Sequence, residues 1–256
     1  MEYQDESGWK EHTSLVGEGF AVTSIEYDNY FDMVWTGYAN GRVTGFSIKE
    51  EEYDAATMIE TPSLSRYSTF VAVPDMITKI VPNQHNIVCF GQSKISLRGY
   101  GGVSLGSINL DLTSYQSYGQ YFGYTCGDSI RSPSISRSSS SYFATSIVAG
   151  TSANWAFLYD LTVLHDAPVM TYDVVSPSVQ IVSNGHLMVA AGYDGSLRLL
   201  DGKFRSSDVL TTLEAHLGSI KDVCLQDDGR TLISCGMVSK PTAPSYQVSH
   251  MIRLFV

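Results

Sequence analysis

The chain is poor in charge and in cysteine. Asp, Glu, Lys and Arg make up only 16% of its 256 residues and hydrophobic residues 43%, which excludes a largely disordered chain and permits a buried core. The net charge of −10 excludes binding of nucleic acid by bulk attraction, although a local basic patch stays possible. The cysteines form no C-x-x-C pair and have no zinc-finger spacing to histidine, so we expect reduced thiols buried in strands: Cys89, Cys126, Cys224 and Cys235.

Signals for membranes and secretion are also lacking. No apolar run reaches the length of a membrane span, and the stretch from Met1 to Glu6 is acidic rather than a signal peptide. We therefore expect an intracellular protein in the reducing cytoplasm, with no membrane contact.

Motifs for catalysis are missing too. The chain has no P-loop, no H-E-x-x-H, no complete G-x-S-x-G, and no two histidines four residues apart. It also has no Asp-x-Glu pair, whereas a two-metal nuclease needs clustered carboxylates. We predict no catalytic residue, no metal site, no cofactor and no small-molecule substrate.

What the chain does contain is a repeated strand pattern. Its clearest copy runs from Glu214 to Gly236: a His, a Gly-Ser pair, an alternating strand, an Asp-Gly turn and a second strand that ends in Gly. Weaker copies lie upstream, and the glycines that close their second strands stand 54, 59, 42 and 44 residues apart: Gly37, Gly91, Gly150, Gly192 and Gly236. The last two intervals fit the WD40 repeat.

These repeats predict an all-β fold, a WD40-type β-propeller with about five blades; a β-sandwich is the alternative. We expect a polar arm at 1–19 and the propeller at 20–256, with inserted loops near 49–62 and 126–141. The fifth copy has no outer strand in the sequence, so we interpret the chain as part of a larger ring of seven blades, with an incomplete ring as the alternative.

Five polar residues of the repeats are expected to hold blades together rather than to form a site. His216 should bond a turn carboxylate, with Asp222 and Asp228 as the two candidates. Asp194 and Asp201 should cap backbone N–H groups in turns.

Several strings, taken in order, resemble a known family. Met33-Val34-Trp35-Thr36-Gly37 with Ser65 to Phe70 is similar to the first blade of the catalytic subunit of the PAN poly(A)-specific deadenylase. Further strings resemble later blades of that family, in the same order: Leu97 to Gly102, Asn154-Trp155, Gly192 to Asp201, Ser234 to Ser239 and Met251 to Val256.

The resemblance implies a function. In that family a seven-bladed WD40 domain precedes a linker, a pseudo-ubiquitin-hydrolase domain and a DEDD-type exonuclease domain. This chain matches only the propeller, so no catalytic residue carries over. The implied role is a non-catalytic scaffold for mRNA deadenylation that engages poly(A) mRNA–protein complexes, with poly(A)-binding protein and the pseudokinase-like PAN regulatory subunit as partners.

Other functions stay open. A generic WD40 adaptor of a ubiquitin-ligase or trafficking assembly would contain similar blades. A propeller glycosidase or lactonase would need a cluster of carboxylates or metal ligands that the sequence does not show. Direct contact with poly(A) would use arginines on exposed edges and tyrosines for stacking: Arg42, Arg66, Arg98, Arg198, Tyr100 and Tyr193.

Overall fold

The structure, a computed structural model, describes residues 19–49, 63–111, 122–130, 146–185, 187–202, 207–226, 231–237 and 250–253. The regular structure of these residues consists of β-strands. Among them, no helix has the length and apolar character needed to cross a membrane. The polar arm at 1–18 and most of the two expected insertions lie outside the described residues.

The strands form five separate antiparallel sheets, each an up-and-down meander in chain order. Sheet 1 contains β1 (Val22–Asp28), β2 (Met33–Tyr38), β3 (Arg42–Lys49) and β4 (Ser63–Val71). Sheet 2 contains β5 (Ile77–Asn83), β6 (Asn86–Gly91), β7 (Lys94–Arg98) and β8 (Ser104–Asn109). Sheet 3 contains β9 (Tyr124–Ile130), β10 (Ser146–Thr151), β11 (Trp155–Asp160) and β12 (Met170–Asp173).

The last two sheets continue the pattern. Sheet 4 contains β13 (Ser178–Asn184), β14 (Leu187–Gly192), β15 (Ser196–Asp201) and β16 (Val209–Glu214). Sheet 5 has three described strands, β17 (Ile220–Leu225), β18 (Thr231–Gly236) and β19 (His250–Arg253). The first strands of successive sheets lie next to one another, so the sheets follow each other around a common axis.

Every first strand has the same irregularity. In each first strand, one residue bulges out directly after the first residue that pairs with the second strand. The second-strand partners of that first residue are therefore equivalent in all five sheets: Tyr38, Gly91, Thr151, Gly192 and Gly236. Gly37 and Gly150 therefore stand one residue before the position that glycine fills in sheets 2, 4 and 5. The expectation that one glycine position recurs in all copies is wrong for sheets 1 and 3.

Apolar side chains fill each junction between neighbouring sheets. Trp35 and Ile80 belong to the cluster between sheets 1 and 2. Phe90 and Tyr159 belong to the next junction, which also contains a hydrogen bond of 2.7 Å between the Tyr124 and Tyr159 hydroxyls. Sheets 2, 3 and 4 are covered on both faces by their neighbours, so these sheets need no core of their own.

Sheet 1 has a face that no described sheet covers. Ile25 occupies the β1 position that Ile80, Ile181 and Val223 occupy in later sheets. Those three side chains are 0%, 1% and 4% exposed because the preceding sheet packs on them, whereas Ile25 is 63% exposed.

Sheet 5 has the matching uncovered face. Ile233 pairs with Cys224 and stands where Val88 and Val189 stand in sheets 2 and 4. Both valines are fully buried, but Ile233 is 47% exposed and the Cys224 thiol is exposed with it. The expectation of a buried thiol holds for Cys89 and Cys126 and is wrong for Cys224. Cys224 is exposed because no described sheet packs on the face of sheet 5 that carries it.

Some strand boundaries differ from the sequence prediction. Pro82 and Asn83 are residue types typical of turns, yet they end strand β5, and the turn is at 84–85. Strand β9 occupies 126–130, the first residues of the second expected insertion. The fourth strands were not predicted, because an outermost strand such as Val209–Glu214 is mostly exposed and lacks the alternation that marks a half-buried strand.

Candidate interaction surfaces

Polar side chains of the first strands lie next to one another around the axis. We call Glu26, Lys79, Asp128, Gln180 and Asp222 the polar belt. Lys79 of β5 donates a hydrogen bond from Nζ to Oε1 of Glu26 on β1, and the two form an ion pair. Burial raises the pKa of Glu26 above its usual value, although Lys79 opposes the shift, and the negative charges of Asp128 and Asp222 add to it. The carboxylate of Glu26 is therefore incompletely compensated.

Asp128 continues the belt between sheets 3 and 4. Its Oδ2 accepts hydrogen bonds from the backbone N–H and the hydroxyl of Ser183, at 2.7 and 3.0 Å, and its Oδ1 accepts one from the Ser129 N–H at 2.8 Å. Part of the side chain still meets the channel, yet desolvation raises the pKa of the carboxyl, while the hydrogen bonds and Lys79 oppose the rise.

Gln180 and Asp222 complete the belt at sheets 4 and 5. Gln180 donates from Nε2 to Oδ1 of Asp222 over 3.4 Å, and the same oxygen accepts the Val223 N–H at 2.8 Å. Glu26, Lys79, Asp128 and Gln180 line a channel cavity of about 180 Å³. With three carboxylates and one ammonium, the belt is acidic.

The acidic character comes from two exceptions in the repeat. Glu26 and Asp128 fill the first-strand position at which sheets 2 and 4 have Val81 and Val182. The alignment that shows this depends on the bulge, which spacing alone does not reveal. Among the described residues, no group of three His, Cys, Asp or Glu could hold a metal ion.

His216 packs against the second strand of sheet 5. Its Nε2 is 2.8 Å from the hydroxyl oxygen of buried Ser234. A Cβ on Gly236 would lie 2.6 Å from the imidazole Cγ, so the ring needs glycine at that position. Of the two expected carboxylate partners, Asp222 bonds Gln180 and Val223 instead, and Asp228 lies outside the described residues.

Asp194 lies in the turn between β14 and β15, and Asp201 is the last residue of β15. Asp194 accepts from both Nη atoms of Arg198, at 3.2 and 2.5 Å, and from the Ser196 N–H at 3.1 Å. Desolvation opposes these bonds, yet they lower the pKa of Asp194 below its usual value. The backbone oxygen of Asp201 accepts the Tyr172 hydroxyl at 2.7 Å, which ties sheet 3 to sheet 4.

The residues considered for RNA contact do not converge. Arg198 is only 5% exposed, so the expectation that it lies on an exposed edge is wrong. Its guanidinium forms an ion pair with Asp194. Arg98 donates to Ser96 Oγ and to two backbone oxygens, at Gly102 and Ala72. Arg66 is exposed, but it lies on β4 of sheet 1.

The two tyrosines considered for stacking are in different environments. Tyr100 is partly buried, and its hydroxyl donates to Asp28 Oδ2 at 2.6 Å and lies 2.7 Å from the Asn83 carbonyl oxygen. Tyr193 is 64% exposed, in the turn between β14 and β15 of sheet 4. An exposed arginine and an exposed tyrosine are thus three sheets apart.

One family model and several solved structures match the chain. The family described as WD domain, G-beta repeat matches residues 207–237, which cover the last strand of sheet 4 and the first two of sheet 5. The structure of the Neurospora crassa Pan2 WD40 domain superposes on 90% of the chain with a TM-score of 0.66 and 15% sequence identity. The fold is a WD40-type β-propeller. Its five described sheets are the blades, and the predicted all-β, WD40-type propeller of about five blades is confirmed.

A second solved structure is similar over the same share of the chain. The computationally designed Ika8 protein superposes on 90% of the chain with a TM-score of 0.59 and 16% identity. The chain spans about 60% of the length of both structures. At these identities the likeness establishes the propeller fold and no activity. No curated protein sequence matches the chain.

Proposed function

We propose that this propeller is a non-catalytic scaffold that helps a poly(A)-nuclease deadenylation complex engage poly(A) mRNA–protein complexes in the cytoplasm. Two independent observations support the proposal. The ordered strings of the sequence resemble the catalytic subunit of the PAN deadenylase, and the fold is similar to a Pan2 WD40 domain. Both point to the propeller of such a subunit rather than to its nuclease.

The proposed mode of action follows from two features: the channel is acidic, and two arginines elsewhere in the propeller already bond groups of the protein. Glu26 and Asp128 line the channel together with the cation Lys79, and Asp222 adds a further negative charge that acts on Glu26. Phosphates would meet repulsion there, and Arg98 and Arg198 already bond groups of the protein itself. The propeller therefore engages the complex through protein partners, poly(A)-binding protein and the pseudokinase-like regulatory subunit, and not through RNA directly.

A binding experiment with purified components tests the proposal. The immobilised chain is incubated with poly(A)-binding protein, with the regulatory subunit, with poly(A) alone and with poly(A) coated by its binding protein. We expect retention of coated poly(A) and of at least one protein, and no salt-dependent retention of bare poly(A). Failure to retain either protein would overturn the scaffold role, and recovery of ubiquitin-ligase adaptors in a parallel experiment would favour a generic WD40 adaptor.

A further inference from the structure

Three large apolar side chains are exposed together on one end of the propeller. Val175 is 69% exposed, Tyr193 64% and Leu217 86%. They lie on the loop between blades 3 and 4, the β14–β15 turn and the loop between blades 4 and 5. All three segments are at the same end, because loops between blades and second-to-third-strand turns share one end of a meander. We call Val175, Tyr193 and Leu217 the loop patch.

Hydrogen bonds join these three segments into one surface. The Tyr193 N–H donates to the Pro177 oxygen at 2.9 Å, and the Asp194 N–H donates to the Ser176 hydroxyl at 3.1 Å. On the other side, the His216 N–H donates to the Gly195 oxygen at 3.0 Å. The loop patch is thus held on a connected backbone and is not a set of isolated surface residues.

Val175 has an unfavourable backbone conformation. Its φ is +62°, and the Ser176 N–H donates to the Val174 oxygen at 2.6 Å, which closes a γ-turn around Val175. Among the described residues, it is the one β-branched residue with positive φ. The Asp173 carboxylate accepts the Val175 N–H at 2.9 Å and stabilises the turn. A glycine would adopt this turn without strain, so valine there points to a use for its side chain.

The charges beside the loop patch select the partner. Asp173 and Glu214 are exposed at the ends of the strands that lead into the two loops. Asp194 is paired with Arg198 and adds no free charge, and the exposed cation among the described residues beside the loop patch is Lys221 at the start of β17. With a net charge of −10 on the whole chain, the surroundings favour a basic ligand.

We propose that the loop patch is the docking site for a segment of a protein partner in which apolar side chains are flanked by Lys or Arg. The apolar residues of the segment cover Val175, Tyr193 and Leu217, and its basic residues meet Asp173 and Glu214. This proposal rests on the proposed scaffold function and adds a surface and a chemistry to it. A large aromatic residue beside two aliphatic ones is a common core for such a contact.

A peptide probe tests the site on the full chain. Fluorescein-labelled Gly-Lys-Lys-Leu-Trp-Leu-Lys-Lys-Gly is titrated by fluorescence anisotropy, with a probe in which Glu replaces every Lys as the charge control. We expect saturable binding of the Lys probe and about tenfold weaker binding of the Glu probe. Tyr193→Ala and Leu217→Ala should each weaken the Lys probe about tenfold, because both remove contact area.

Control variants separate the site from general stickiness. Val163→Ala and Tyr67→Ala remove exposed apolar side chains on other parts of the propeller and should leave binding of the Lys probe unchanged. Val175→Gly should weaken binding and raise the melting temperature, since it removes both the contact and the strain; a purely structural role would not couple the two. Equal binding by wild type and all patch variants, or no binding up to about 1 mM, would overturn the docking site.

The same variants separate this proposal from the scaffold function. If the wild type retains poly(A)-binding protein and the Tyr193 and Leu217 variants retain it equally, the scaffold role stands and the docking site fails. If the wild type binds the probe but neither protein, the site stands as a basic-peptide site and the deadenylation role fails.

Discussion

The hydroxyl of Tyr100 donates a 2.6 Å hydrogen bond to Oδ2 of Asp28, and this bond joins blade 2 to blade 1. Asp28 is buried, and its Oδ1 accepts the Tyr30 N–H at 2.9 Å. Burial, followed by the bond to Asp28 and its negative charge, raises the pKa of the Tyr100 phenol. The tyrosine is thus a structural clamp at the blade junction.

Removal of this clamp should destabilise the propeller. We expect Tyr100→Phe to lower the free energy of unfolding by about 1–3 kcal/mol, because it removes the phenol donor from Oδ2 of the buried Asp28 carboxylate. Urea unfolding followed by tryptophan fluorescence measures the loss. Tyr193→Phe, at an exposed tyrosine, is the matched control and should have no effect; equal stability of both variants would contradict the clamp.

Lys79 should stabilise the belt mainly as a counter-charge. Lys79→Met leaves Glu26 and Asp128 without their nearest cation, and we expect a loss of roughly 1–3 kcal/mol at neutral pH. The double variant with Glu26→Gln should recover much of that loss, which chemical unfolding of the four members of the cycle would measure. If Glu26→Gln gives no recovery, the pair does not act through charge.

The belt also predicts a pH dependence. The pKa of Glu26 is raised above its ordinary value of 4.5 in the folded protein, so the folded state holds its proton more tightly than the unfolded state. The contribution of Glu26 to stability is therefore greatest at low pH and falls as the pH rises through 4.5 to the raised folded value.

Glu26→Gln should remove this dependence. The stability of the variant relative to wild type should rise between about pH 4 and pH 7, in unfolding curves recorded across that range. Glu214→Gln, at an exposed carboxylate, provides the comparison. A difference between Glu26→Gln and wild type that stays constant with pH would show that burial does not perturb Glu26.

Gly236 should be intolerant of a side chain. A Cβ there would be 2.6 Å from the His216 ring, so Gly236→Ala must displace the imidazole from Ser234, at a cost of about 1–3 kcal/mol. Gly101→Ala is the control, because its Cβ would meet no atom within 4 Å. Thermal melts of the two variants check the difference, and similar melting temperatures would contradict it.

The open faces of blades 1 and 5 should cause self-association. Ile25 and Ile233 are exposed at positions that are buried in the other blades, and such faces associate in water. We expect concentration-dependent oligomers by light scattering, and fewer of them with Ile25→Lys and Ile233→Lys. Val163→Lys, at an isolated exposed valine, should not change the distribution; a monomer at all concentrations would refute the expectation.

The sequence by itself determined most of the inner strands and the number of blades. Alternation predicts first strands such as β13 and β17. The Asn-Gly pair at 40–41 is a typical tight-turn sequence, because glycine can adopt the positive φ, +76° at Gly41, that the turn requires. The outer strands and the β9 strand escaped prediction, because their exposure or polar residues blur the period of two. Local patterns report how a residue faces its own sheet.

Only the tertiary structure decided which residues meet between blades. The bulge in each first strand shifts the register by one, and this shift places Glu26 and Asp128 in the belt with Lys79. Buried Arg198 pairs with Asp194, and Val175, Tyr193 and Leu217 share one end of the propeller because the three loops that carry them end there. Such contacts join residues far apart in the chain, and their geometry depends on how sheets pack rather than on any local period.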